Sequence, residues 1–249
     1  MRPESIEIKN SGTRSETEGF NLTIVVPAYN EAENLSDAIQ MISSGLPVSL
    51  ADHEIIIIDD GSSDDTAGII RRITAGSNTI RAIFHDANHG KGAALKSGFN
   101  AAQMEWVLFN DADLQIDIAE LSSFIKQTDS HDIIIGYRQN RRDPFSRIFF
   151  SSIYTAIIRF SLGFRFRDLN CPFKLIRKSF LDTCNFQSKG FFIDAEIMHA
   201  AHVKKARIKE LGVACKPRQK GESTVKFRHV IETVKELFAL IARKNSDVR

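Results

Sequence analysis

Asp111 and Asp113 stand one alanine apart at the end of the apolar run Trp106 to Asn110, so a bend there brings both carboxylates towards one point. Hard oxygen ligands of this kind suit Mg²⁺ or Mn²⁺, cations able to neutralise a diphosphate leaving group. Gln115 adds a further oxygen donor two residues on. Taken alone, a D-x-D triplet also describes an ordinary acidic turn. A second acidic pair, Asp59-Asp60, precedes Gly61-Ser62-Ser63. Asp60 is of the right type to accept hydrogen bonds from a nucleobase or ribose, while Asp64 can simply cap the helix that begins near it. Asn88-His89-Gly90-Lys91-Gly92 looks like a phosphate loop opening a helix. It lacks the G-x-x-x-x-G-K-[ST] spacing, so ATP hydrolysis has no support, and its glycines point to close packing or backbone approach.

The elements that must position these residues follow a repeated order. Apolar runs at 22–27, 54–59, 80–84, 106–110 and 133–136 alternate with helical patterns at 31–44, 64–75, 91–103 and 117–128. Because the runs IVV at 24–26 and IIII at 55–58 are continuous rather than alternating, their strands are expected to be covered on both faces. The fold class is therefore α/β, a doubly wound sandwich around a mainly parallel sheet. Ligands bind such sheets beyond the carboxyl ends of the strands, and all three polar clusters fall on that edge. The second half is less regular, with an amphipathic segment at 145–162, a loop at 167–174 and a helical pattern after Asp194. A last amphipathic helix carries Phe227, Val230, Ile231, Val234, Leu237, Phe238 and Ile241 in one apolar stripe, suited to packing on the domain or lying on a membrane.

Composition narrows the class. The chain has 249 residues, 43% hydrophobic and 26% charged, enough for one substantial domain. Residues 1–20 show no periodicity and read as a mobile tail, and they carry no apolar run of the secretory kind. Cys171, Cys184 and Cys215 are odd in number and lack metal-type spacing, which favours reduced thiols. The longest uncharged stretch of the second half, Ile148 to Ile158, is far shorter than the ~20 residues needed to span a bilayer. The net charge of +2 hides an asymmetry: residues 1–124 carry 8 Lys and Arg against 19 Asp and Glu, and the remainder 25 against 12. An acidic half suits a metal site, and a basic half suits phosphates, anionic lipid headgroups or nucleic acid. No nucleic-acid-binding module is recognisable in the basic half, so no nucleic-acid partner is expected.

Several ordered segments, VVPAYNE at 25–31, IIDDGSSDDT at 57–66, NHGKGAAL at 88–95, DADLQ at 111–115, GYR at 136–138, RDLNCPFK at 167–174, FFIDAE at 191–196 and PRQKGES at 217–223, resemble the family 2 glycosyltransferases of GT-A fold. Within that family they are most similar to the dolichyl- and polyprenyl-phosphate sugar synthases, the dolichol-phosphate mannosyltransferase type. The resemblance implies that Pro27, Tyr29, Glu31, Asp60 and Lys91 line a nucleotide-sugar pocket together with Asp111. It further implies that Asp111, Asp113 and Gln115 serve Mg²⁺ or Mn²⁺ and the diphosphate, and that Arg138, Arg147 and Arg218 gather anionic groups of donor or acceptor. Asp113, Arg138, Asp168 and Asp194 become the catalytic candidates. Glu196 joins Asp168 and Asp194 for positioning or base work, helix capping and salt bridging being their alternative roles. Two departures stand out: Tyr137 lies where these enzymes commonly show Ser, and many bacterial relatives continue into two transmembrane helices that this sequence lacks.

The expected organisation is a tail at 1–20, a GT-A domain at 21–225 and a C-terminal helix and tail at 226–249. The expected reaction is a single inverting displacement from a GDP-mannose or UDP-glucose type donor to a polyprenyl or dolichyl phosphate. Such a phosphate is already largely a dianion at neutral pH, so no strong base is required. A hydroxyl acceptor on a saccharide or glycolipid is the alternative, and it would demand a carboxylate base. The location implied is the cytoplasm, peripheral at the membrane face, with a separate membrane-anchoring subunit as a further partner.

Overall fold

In the computed structural model, the residues described are 19–47, 50–112, 115–139, 158, 163, 166–216, 233 and 235–240. They form strands β1 (Phe20–Ala28), β2 (Leu50–Asp59), β3 (Ile80–Phe84), β4 (Trp106–Phe109), β5 (Ile133–Gln139), β6 (Lys174–Arg177) and β7 (Ile208–Ala214). Helices α1 (Leu35–Gly45), α2 (Thr66–Thr74), α3 (Lys91–Ala101), α4 (Leu121–Ile125), α5 (Lys178–Asp182) and α6 (Ile193–Val203) connect or follow them. The strands make one sheet of order β3-β2-β1-β4-β6-β5-β7. Only β6 runs antiparallel to its neighbours, pairing with both β4 and β5.

The continuous apolar runs are buried on both sides, as their composition demands. Ile55 and Ile57 join Leu22, Ile24, Trp106 and Leu108 in one core, which α1 completes through Leu35, Ile39 and Ile42. Ile56 and Ile58 join Val25, Val107 and Phe109 in the other, against Leu95 and Phe99 of α3 and Ile193 and Ile197 of α6. Alternate residues of one strand thus feed opposite cores. Helix α3 comes close because it carries Gly98, where a Cβ would stand 2.4 Å from Val25 Cγ1.

Two local differences from the periodicity have physical causes. The first helix starts at Leu35 rather than Glu31, because Asn30 takes a φ of 54° and the Glu31 carbonyl accepts the N–H groups of Asn34 and Leu35 in a turn. Strands β6 and β7 lie in the stretch that shows no clear strand pattern. The expected loop 167–174 ends where Lys174 opens β6.

At the amino-terminal end of the sheet, Glu54 accepts hydrogen bonds from Thr23 Oγ1 at 2.7 Å, Arg81 Nε at 2.8 Å and Gln103 N–H at 2.8 Å. Burial pushes its carboxyl up, but these three donors together hold it below the ordinary value. A depressed folded-state pKa gives stability that is present above the unfolded pKa and lost as pH falls through the folded one. Urea unfolding is therefore expected to show falling stability from about pH 5 downwards, with a shallower fall in Glu54→Gln. An unchanged slope in the variant would remove Glu54 from the account.

The described part of the last helix packs on the domain: Leu237 is buried in the α3–α6 core. Glu236 accepts Ser188 Oγ–H at 2.9 Å and Lys189 N–H at 3.0 Å. Phe238 on the same helix is 67% exposed. Among the described residues, no helix is long and apolar enough to cross a membrane. The amphipathic segment 145–162 lies outside the described residues except for the buried Ile158.

Candidate active site

The order β3-β2-β1-β4 reverses direction at β1, so a crevice opens between the carboxyl ends of β1 and β4, where such sheets take ligands. Pairing there ends at Val25 with Phe109, and Asn110 N–H donates to the Val25 carbonyl. Asp111 follows directly, and Pro27, Tyr29 and Glu31 lie at or just past the end of β1.

Loops of β1 and β2 are stitched together by their own polar side chains. Asn30 N–H donates to Ser62 Oγ at 3.0 Å, Ser63 N–H to Asn30 Oδ1 at 2.8 Å, and Glu31 N–H to Thr66 Oγ1 at 2.9 Å. Asp64 accepts from Ala32 N–H and from both donors of Thr66; burial works against its charge, yet these bonds hold its carboxyl below the usual range. The N-cap position of α2 is Asp65, without a side-chain cap bond, so Asp64, one residue earlier, fastens the neighbouring loop to Thr66 rather than capping the helix as expected from sequence.

Asp60 is buried and faces the turn before α3. Its Oδ1 lies 2.7 Å from His85 Nδ1 and accepts His89 N–H, and its Oδ2 accepts Gly90 N–H at 2.8 Å. Its carboxylate is therefore committed to the 85–90 turn. Gly61 beside it has a φ of 66°, and a Cβ there would stand 2.3 Å from the Ala87 carbonyl carbon. Gly61→Ala is expected to cost about 2 kcal/mol or more, from the left-handed φ and the backbone clash together, measurable by urea denaturation; a neutral result would show that the 85–90 turn is free to move.

The phosphate-loop likeness at 88–92 resolves into packing. Gly92 N–H donates to the Lys189 carbonyl at 2.8 Å, and Ala93 N–H shares that acceptor. A Cβ at Gly90 would meet the Lys189 oxygen at 2.4 Å, and one at Gly92 the Ser188 oxygen at 2.6 Å. The start of α3 is thus clamped against 188–190, a segment that carries no chemical signature in the sequence.

Lys91, projecting from this fixed turn, places Nζ 2.9 Å from Asp111 Oδ1 and 3.9 Å from Asp194 Oδ2. Asp194 is buried, and its other oxygen binds Lys174 Nζ, which is fully buried. Lys174 also donates to the Cys171 carbonyl. Charges therefore alternate from the crevice inwards: Asp111, Lys91, Asp194, Lys174.

The remaining expected site residues divide clearly. Arg138 pairs with Asp168 through Nε at 2.7 Å and Nη2 at 2.9 Å, and its side chain is 7% exposed. Burial opposes the charged guanidinium, but Asp168 holds its pKa above the ordinary arginine value. This forked pair braces β5 to the 167–173 loop, so the anionic group that Arg138 holds here is Asp168. Tyr137, next to it, stacks beneath Arg167 at 4.6 Å. Glu196 accepts the N–H groups of Gln187 and Ser188 and so shapes the 188–190 clamp. The Gln115 carbonyl accepts Lys216 N–H at 2.7 Å. Asp113, Arg147 and Arg218 lie outside the described residues.

The crevice suits a cation. Asp111 offers a hard carboxylate with a side chain 35% exposed, and the Lys91 ammonium already sits on one of its oxygens as a stand-in positive charge. Among the described residues no group of three or more His, Cys, Asp or Glu side chains forms a complete cage, so a divalent ion at Asp111 would need further oxygen ligands from outside this set, water among them.

Comparison with known proteins agrees with this architecture. Glucosyl-3-phosphoglycerate synthase from Mycobacterium tuberculosis, crystallised with Mn²⁺, UDP and glucosyl-3-phosphoglycerate, superposes with a TM-score of 0.68 at 18% identity, over 92% of this chain and 81% of that one. Its complex with Mn²⁺, UDP-glucose and phosphoglyceric acid gives 0.67 at 17% identity, over 91% and 80%. The complex with Mg²⁺ and UDP gives 0.66 at 16%, over 92% and 80%. At these identities the likeness establishes the fold, that of the GT-A glycosyltransferases. The sequence carries the rest: the family described as glycosyl transferase family 2 matches residues 23–184, from the first strand past the β1–β4 crevice to the end of α5. A match over that much of the chain makes this protein a glycosyltransferase of family 2.

Proposed function

We propose that the protein transfers a hexose from a nucleotide sugar to a phosphate-bearing acceptor, a polyprenyl or dolichyl phosphate, with Mg²⁺ or Mn²⁺ at Asp111. The observation that carries this reading is the Asp111–Lys91 pair in the β1–β4 crevice: a carboxylate for the metal and an ammonium for the diphosphate at one point. Asp113 and Gln115 complete the metal-side set, and Pro27, Tyr29 and Glu31 border the nucleotide. When bound, the divalent ion supplies Lewis-acid neutralisation of the departing diphosphate. Lys91 adds a second positive charge on the same side.

The state of the carboxylates supports a phosphate as nucleophile. Asp168 is forked to Arg138, Asp194 is locked to Lys174, and Glu196 is bonded to two backbone amides. All three are engaged in ion pairs or backbone hydrogen bonds, and a phosphate dianion has no proton to give up to a base. The lipid class of acceptor rests on the segments GYR, RDLNCPFK, FFIDAE and PRQKGES. UDP-glucose and phosphoglyceric acid in the mycobacterial complexes favour a second reading, in which the acceptor is a small soluble phosphorylated compound. Attack in either case is written as a single displacement with inversion at the anomeric carbon; a retained configuration in the product overturns it.

The test is transfer of label from a panel of radiolabelled nucleotide sugars with Mn²⁺ or Mg²⁺, offering polyprenyl phosphate and phosphoglycerate in parallel, with Asp113→Ala as control. Label entering the organic phase and lost in the variant supports the lipid acceptor; label on phosphoglycerate alone transfers the assignment to the soluble one. For the lipid reading, we place the reaction at the cytoplasmic membrane face, with residues 226–249 as the peripheral contact of the 21–225 domain and a separate anchoring subunit as a further partner. Flotation with anionic vesicles tests this, and protein remaining at the bottom removes the peripheral contact.

A further inference from the structure

We infer that Lys91 is a built-in placeholder cation that competes with the metal for Asp111 and, when the metal arrives, shifts onto Asp194 while staying at the crevice wall, where it serves the diphosphate. The inference rests on the reading of Asp111 as a metal carboxylate. Its basis is the pair of seats around one ammonium. Lys91 Nζ lies 2.9 Å from Asp111 Oδ1 and 3.9 Å from Asp194 Oδ2, with the Lys91 side chain 13% exposed. The nearer seat is filled, and the further one is a contact still about an ångström longer than a charge-assisted hydrogen bond.

The backbone beneath Lys91 cannot adjust. Gly90 N–H is held by Asp60, Gly92 N–H by the Lys189 carbonyl, and neither glycine has room for a Cβ. Motion is therefore confined to the lysine stem, which is long and flexible. The far seat is equally fixed. Asp194 cannot turn towards the crevice, because Lys174 holds its Oδ1 from a fully buried position.

A divalent ion held by the Asp111 carboxylate would lie close to the ammonium on that same group, and the two would repel in a crevice of reduced dielectric. Repulsion would drive the ammonium towards the second carboxylate already beside it, Asp194 Oδ2 at 3.9 Å. Without the metal, the same ammonium neutralises Asp111. Metal loading and the position of Lys91 thus become one equilibrium, and each weakens the other by the same factor.

The experiment is Mn²⁺ binding to the full chain without nucleotide, read from the electron paramagnetic resonance of free Mn²⁺. Lys91→Met keeps the stem and removes the competitor, so it is expected to bind Mn²⁺ about tenfold more tightly than the wild type. Lys91→Arg keeps the charge and is expected to bind like the wild type, and Lys91→Gln serves in place of methionine if that variant does not fold. Asp111→Asn reports on the underlying reading. If wild type and Asp111→Asn bind Mn²⁺ equally, or neither binds, the metal site itself is misplaced. If Asp111→Asn loses binding while Lys91→Met and Lys91→Gln bind no more tightly than wild type, the metal site stands and the placeholder inference is overturned.

Discussion

Asp111→Ala is expected to lower kcat/KM with the nucleotide sugar by about 10³-fold, a loss of about 4 kcal/mol of transition-state stabilisation. The magnitude follows from what the crevice loses: the carboxylate that would carry the metal and the partner that positions Lys91. Stability should hardly change, because the side chain is a third exposed and Lys91 retains Asp194 as a neighbour. Steady-state kinetics beside a thermal melt therefore separate a chemical role from a structural one. A variant that keeps its activity would displace the metal from Asp111, and one that melts early would make the residue a brace.

The largest effect on stability is expected inside the same row of charges. Lys174→Met leaves the buried Asp194 without the cation that neutralises it, and removing one partner of a buried pair costs about 3–5 kcal/mol. Lys174 also donates to the Cys171 carbonyl and lies 5.0 Å from the centre of the Phe109 ring, so its stem and charge are both engaged. Asp194→Leu should cost a comparable amount, for the reversed reason. The double variant Lys174→Met with Asp194→Leu is expected to recover most of the loss, since an apolar pair of similar volume requires no desolvation of charge. Urea titration of the four proteins closes this cycle; additive losses would mean that the two groups do not act as a pair.

What could be read without the structure was whatever local chemistry decides. Ile55 to Ile58 announce a strand buried on both faces, because β-branched side chains in a short continuous run favour that setting, and the two cores divide them as expected. The carboxyl-edge clusters were legible because Asp, Gly and Ser after an apolar run rarely occur without a turn or a ligand. Strand β6 was not legible, since KLIR begins with a lysine that looks like a surface residue and is completely buried. A carboxylate 20 positions later, Asp194, supplies the counter-charge for that burial. β7 escaped notice for a similar reason, its Lys209 and Glu210 interrupting the apolar pattern. Within the site, Arg138 and Asp168 were each identified as chemically capable, but sequence spacing says nothing of a fork that satisfies one with the other. The clamp at Ser188 to Gly190 left no signal, because its contribution is made by backbone carbonyls that any residue type possesses.

The single antiparallel strand has a consequence for how the chain reaches this state. β6 enters between β4 and β5, so the two strands nearest to it along the earlier chain never touch through their own edges. A nascent chain ending before Lys174 can assemble β3, β2, β1 and β4, whose partners all lie within that segment, yet it must then carry Trp106 to Phe109 as a raw edge of wholly apolar residues. Such an edge is a template for pairing with another molecule, and the closing strand arrives only after some 65 further residues have been synthesised, a separation of the kind that slows folding. Truncation before residue 174 is therefore a route to aggregation rather than to a smaller functional unit. The requirement for β6 binds the β3-β2-β1-β4 part and the β5-β7 part of the sheet into one cooperative event.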